Sequence, residues 1–176
     1  DHFGFYVLIE SMGSHAEKDS DLFLEVLSQA SEAKLIEEVI VADSDTKIKN
    51  LWTVRDAAAE IYPGVGYMHT YDVSLNVADM GYFGEEVESR LRSEWPDAIL
   101  GLFGHIGDGN LHIVIHVGED TLSLHLQIDE IIYGLIQELH GAVSAEHGIG
   151  LMKKQFLPYS KSEPEIALMK ALKHTM

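Results

Sequence analysis

The chain has 176 residues, 46% of them hydrophobic, with a mean hydropathy close to zero, which is enough to bury a core and contains no apolar run long enough to span a bilayer. Its net charge of −17 comes from 29 acidic and 12 basic residues and repels phosphates and anionic lipid, so nucleic acid and membrane surfaces are excluded as partners. With 0 cysteines, disulfides and thiol chemistry are excluded too, and an anionic substrate would need its charge met locally by an arginine or a metal ion.

The opening "DHFGFYVLIE" lacks an initiator Met and a signal-type apolar region, as expected of a piece of a longer protein. "FYVLIE" (5–10) reads as a strand. Residues 19–35 follow as a helix with Leu22, Val26, Leu27 and Ala30 at helical spacing. "EEVIVA" (37–42) reads as a second strand, and 43–63 as a helix ended by Pro63. In that helix Arg55 falls on the apolar stripe of Ile48, Leu51, Trp52, Ala58, Ala59 and Tyr62. Either it is an inward charge that binds an anion, or it reaches back to solvent along its aliphatic stem.

Residues 67–76 alternate, with Tyr67, His69, Tyr71, Val73 and Leu75 on one side and Thr70, Asp72, Ser74 and Asn76 on the other. A helix over 80–96 leads to a strand–turn–strand around "GHIGDGNLH" (104–112). Residues 121–141 are the strongest helix, with a stripe of Leu124, Ile128, Ile131, Leu135 and Leu139 and Gly141 as its stop. "AVSAEHGIG" is a short strand or loop, and the tail from Leu151 is mostly helical. Together the pattern predicts an α+β fold, ferredoxin-like, with a largely antiparallel sheet, helices on one face and a substrate site on the other.

A turn at "IGDG" pairs His105 near Asn110 and sets His112 opposite Phe103. His105 and His112 then project from one face as diagonal neighbours, close enough to share a metal ion. Asn110, Val114 and His116 share that face, while Leu111, Ile113, Ile115 and Val117 form the core stripe behind it. Two histidines on a hairpin are also ordinary packing or surface residues, and spacing alone leaves both readings open. Glu146 and His147 stand side by side in a glycine-rich stretch, where one can face a metal and the other a substrate, or both can be plain loop residues. His2, His15, His69, His125, His140 and His174 fit surface positions or helix ends, and Lys153 and Lys154 read as solvated.

"GHIGDGNLH" followed by "GAVSAEHGIG", with "FYVLIE", "LWTVRDA" and "YDVSL" in register, resembles the C-terminal, substrate-side domain of FAD-linked 2-hydroxyacid dehydrogenases of the vanillyl-alcohol oxidase type. That family includes D-lactate dehydrogenase, the glycolate oxidase FAD subunit and D-2-hydroxyglutarate dehydrogenase, and the last branch is the most similar. The resemblance implies that 1–176 is a C-terminal domain whose FAD is bound mainly by an N-terminal domain in cis. It implies a divalent metal, zinc or manganese, on His105, His112 and Glu146, a substrate carboxylate on Arg55, and His147 as general base and substrate contact. The implied reaction oxidises a D-2-hydroxy acid to the 2-oxo acid with hydride transfer to the flavin, so the isolated piece is expected to be inactive.

Where the 2-hydroxyglutarate enzymes carry Thr, Lys and Asn around the substrate, this chain has Ala59, Thr70 and Val114. Thr70 and Val114 are therefore substrate-side positions with few polar partners for a distal carboxylate, which points to D-lactate or another monocarboxylate. Asn76 stands where the family commonly has Pro, and the family's terminal Asn-Pro is not matched. The expected partners are the hydroxy acid, the FAD domain, an electron acceptor and a second copy in a homodimer. The expected location is the cytoplasm of a bacterium or the mitochondrial matrix of a eukaryote. Two other readings of the same residues are a stand-alone module that binds a metal or small acid without flavin, and a metal-dependent hydrolase in which His147 activates water.

Overall fold

A two-residue alternation of apolar side chains over 111–117 builds the centre of the sheet. In the computed structural model, which describes residues 4–57, 66–118 and 121–176, β3 (Asn110–His116) lies between β1 (His69–Ser74) and β2 (Ile99–His105), antiparallel to both. Leu111, Ile113 and Ile115 of β3 are buried on one face together with Tyr71 and Val73 of β1. The chain divides into two compact units, Asp1–Ile61 and Tyr62–Met176, and the sheet belongs to the second.

Two helices cover that apolar face. α3 (Met80–Glu94) contributes Phe83, Val87 and Leu91, and α4 (Leu122–Glu138) contributes Ile128, Ile132, Leu135 and Ile136 to the same cluster. Burial of each such side chain contributes about 1.5–3 kcal/mol, so this face holds the unit together. The opposite face carries Asp72, His112 and Asn110. The expected α+β class, with an antiparallel sheet and helices over one face, is what the second unit shows.

Local chemistry sets the connections. The hairpin turn is a 3-10 segment, Ile106–Asp108, closed by Gly109 at φ 71°, where a Cβ would also collide with the Leu75 carbonyl oxygen. Asn76, the residue at the family's Pro position, caps the next 3-10 turn by accepting the Ala78 N–H at 3.1 Å. α4 ends in a Schellman arrangement. Gly141 N–H donates to Ile136 and His140 N–H donates to Gln137, so His140 (φ 55°), not Gly141, takes the left-handed position. Gly141 is needed for a different reason: a Cβ there would stand 2.6 Å from the Ser74 carbonyl oxygen. Beyond it, Ser74 and Ala142 exchange backbone hydrogen bonds of 3.0 and 2.8 Å, which ties the following loop to β1. The tail forms a 3-10 turn, Lys154–Tyr159, with Phe156 buried, and α5 (Glu163–Thr175), opened by a Ser162–Glu165 capping box.

The first unit contains α1 (Ala16–Glu32) and α2 (Asp45–Ala57). The strands expected at 5–10 and 37–42 are not formed. An apolar run becomes a strand only when a neighbouring backbone takes its N–H and C=O groups, and no such ladder reaches these residues. No residue of 4–57 is buried. Trp52 donates its indole N–H to Glu10 at 2.9 Å within this unit. Ala58, Ala59, Tyr62 and Pro63, expected in or after the second helix, lie outside the described residues.

Candidate functional site

The pairing register decides which polar groups meet. Asp72 of β1 and Phe103 of β2 both stand opposite His112, and His105 stands opposite Asn110, as the spacing predicted for the hairpin. His105 and His112 share a face with their rings edge-on at 5.8 Å. Phe103 lies against His112 at 5.4 Å between centroids.

The loop tied down by Ser74–Ala142 brings Glu146 and His147 to this face. Glu146 Oε2 is 3.7 Å from His112 Nε2, and the His147 ring stacks on His112 at 5.8 Å. Ligand atoms of Asp72, His112, Glu146 and His147 all lie within 4.8 Å of one another. Of the residues expected to hold a metal, His112 and Glu146 therefore converge directly. His105 flanks them through His112 without entering that group. His147, expected as the base, is in the group and is 67% exposed at its side chain.

Asp72 is the residue that the sequence reading missed. Its side chain is fully buried, and Oδ2 accepts the backbone N–H groups of Ala145 (3.1 Å), Glu146 (2.9 Å) and His147 (2.8 Å) and the Ser144 hydroxyl (3.2 Å). Burial pushes its carboxyl upward, but the His147 and Glu146 amides with the nearby His147 and Lys153 charges outweigh that and hold it below its ordinary value. Its place on the polar side of β1, two residues after Thr70, was the available signal. Lys153, expected to be solvated, is instead half-buried. Its Nζ donates to the Asp72 carbonyl at 3.1 Å and to Ser144 Oγ at 3.3 Å. Burial lowers its pKa despite the Asp72 carboxylate beside it.

The remaining positions divide by unit. Thr70 is exposed and stands opposite Val114, which is buried at 7% exposure, two register positions from the Asp72–His112 pair. His116, on the same strand face, is bound by its Nδ1 to the Tyr67 carbonyl at 2.9 Å. His69 is buried and packs its ring 4.3 Å from His125 on the core side, a correction to its expected surface position. Arg55 lies in the first unit. Its side chain is 49% exposed, pairs with Asp56 at 3.2 Å and lies 5.9 Å from the Trp52 ring centre.

Could this donor set hold a cation? Imidazole and carboxylate suit zinc or manganese, and His112, Glu146 and His147 each offer a donor atom within 4.8 Å of the others. The residues fit such an ion.

The profile of the FAD linked oxidases, C-terminal domain, matches residues 1–176. The chain belongs to this family. It is 34% identical over 169 residues to a mitochondrial D-2-hydroxyglutarate dehydrogenase of Danio rerio, covering 96% of this chain and 31% of the relative. It is 34% identical over 177 residues to a D-2-hydroxyglutarate–pyruvate transhydrogenase of Saccharomyces cerevisiae, covering 97% and 36%. A mitochondrial protein of Schizosaccharomyces pombe named for D-lactate dehydrogenase is 33% identical, covering 99% and 35%. The chain thus spans about a third of the length of the curated relatives it matches.

Proposed function

We propose that residues 1–176 form the substrate-side domain of an FAD-dependent D-2-hydroxyacid dehydrogenase, with a divalent metal, zinc or manganese, at His112, Glu146 and the adjoining His105. The observation that carries this reading is the meeting of His112, Glu146 and His147 on the sheet face opposite the core, in a chain of the FAD-linked oxidase family. Bound there, the cation would lower the pKa of the substrate hydroxyl and FAD, held by an N-terminal domain in cis, would accept the hydride.

The chain's own residues divide the remaining work. His147 turns Nδ1 toward the Asp72 carboxylate at 4.0 Å, which leaves Nε2 as the nitrogen that takes the hydroxyl proton. Phe103 packs against the His112 ring from the neighbouring strand. Arg55 is assigned to a substrate carboxylate on the family resemblance. Val114, apolar and buried, offers no partner to a second carboxylate, and Thr70 offers one hydroxyl. This favours a D-lactate-like monocarboxylate over D-2-hydroxyglutarate, since an unpaired buried carboxylate is costly. The relatives named as mitochondrial suggest the matrix as its location in a eukaryote. Among the described residues no helix is long and apolar enough to cross a membrane.

The test is to mix the full-length protein with D-lactate, D-2-hydroxyglutarate and their L-forms and follow flavin absorbance. Bleaching by a D-acid, fastest with D-lactate, is expected. No redox change with any of these acids rejects the reading.

A further inference from the structure

Asp72 is built into the site in a way that the metal assignment does not use. One carboxylate oxygen, Oδ2, collects the Ser144 hydroxyl and the N–H groups of Ala145, Glu146 and His147. The other, Oδ1, is buried without a hydrogen-bond partner and stands 3.9 Å from His112 Nδ1. His112 Nε2 faces the opposite way, 3.7 Å from Glu146 Oε2. One buried carboxylate therefore touches the backbone of both loop residues of the site and the back of the strand histidine.

We infer that Asp72 is the positioning residue of this site: Oδ2 sets the loop that carries Glu146 and His147, and Oδ1 holds His112 in the Nδ1–H tautomer, leaving Nε2 bare for a cation. This rests on the metal reading proposed above. An imidazole can ligate only through an unprotonated nitrogen, and the partner of its other nitrogen selects which one that is. Nδ1 is the His112 nitrogen nearer the Asp72 carboxylate, 3.9 Å from Oδ1, and so the one whose proton that carboxylate attracts. Asp72 serves as an outer support and not as a fourth ligand, because Oδ2 already accepts three backbone N–H groups and Oδ1 is buried on the His112 Nδ1 side. Glu146, at 52% side-chain exposure, and His147 are the groups turned to the open side. Lys153 completes the support by bonding the Asp72 carbonyl and Ser144 together.

Asp72→Asn keeps the shape and places an N–H₂ group where Oδ1 was, so two donors would face each other and the His112 ring should switch tautomer. The chain and this variant are compared by ring-nitrogen NMR of His112 at a pH where imidazole is neutral, and by zinc competition against a chromophoric chelator. The wild type should show Nδ1–H, the variant Nε2–H, and zinc affinity should fall about 10- to 100-fold. An Nε2–H wild type overturns the inference, even if Asp72→Asn does not fold. So does a folded variant that binds zinc within about twofold of wild type. Lys153→Met should leave His112 as Nδ1–H; a switch there means that loop packing, not Asp72, sets the ring, and overturns it too. Should wild type bind no zinc, the metal reading fails on its own, and an Nδ1–H tautomer lost in Asp72→Asn still supports the role of Asp72.

Discussion

α1 and α4 are both helices of 17 residues with an apolar stripe, yet Val26 of the first is 53% exposed and Ile128 of the second is fully buried. The same contrast runs through the two units: no residue of 4–57 is buried, while the second unit closes its core around β3. Periodicity states which face of an element wants covering. Whether anything covers it depends on the neighbours that the fold supplies.

The largest expected effect separates chemistry from scaffold within the second unit. His147→Ala should slow flavin reduction on the order of 10²- to 10⁴-fold while metal content stays near wild type. His112→Ala should lose both, as read by stopped-flow absorbance and metal analysis. A His112→Ala protein with full metal and turnover would remove the metal assignment. Next, Ile128→Ala should cost about 2–5 kcal/mol in denaturant unfolding, against less than about 0.5 kcal/mol for Val26→Ala. Comparable losses would mean that the α1 stripe is covered in the working protein, and the contrast between units would collapse.

A third test uses pH. Burial raises the Asp129 carboxyl above its ordinary value, partly offset by the hydrogen bond from the Tyr71 hydroxyl and by His125. A raised carboxyl binds its proton more tightly in the folded chain. Its contribution to stability is therefore present below the ordinary value of 3.8 and is lost as pH rises through the folded value. Asp129→Asn removes that loss, so its melting temperature relative to wild type should climb across this window and then level off. A difference independent of pH would contradict it. The smallest structural effect is expected for Arg55→Ala, within about 0.5 kcal/mol, because its pair with Asp56 is exposed. KM for the hydroxy acid should nevertheless rise roughly tenfold, as loss of one charged hydrogen bond predicts. An unchanged KM would withdraw Arg55 from substrate binding.

Much of the site was legible because its rules are local. The hairpin register around Gly109, the shared face of His105 and His112, and the core stripe behind them follow from a period of two and a tight turn. Asp72 and Lys153 were not legible as a pair, since 81 positions separate them and only the packed loop brings Nζ to the Asp72 carbonyl. The strands expected at 5–10 and 37–42 failed for the complementary reason: β-propensity is local, but a strand is a pairing. His140 likewise took the left-handed position expected of Gly141, because the close approach to Ser74 reserved the glycine for another task.

By itself the sequence determined the second unit's elements, the two chemistry-bearing motifs and the face on which the hairpin histidines stand, since each depends on neighbours a few residues apart. Tertiary structure alone decided that a buried carboxylate from β1 would take the amides of a loop more than seventy residues away, and that Lys153 would be drawn in beside it. Those outcomes depend on which surfaces lose water when distant segments meet, and desolvation is a property of the packed chain rather than of any stretch within it.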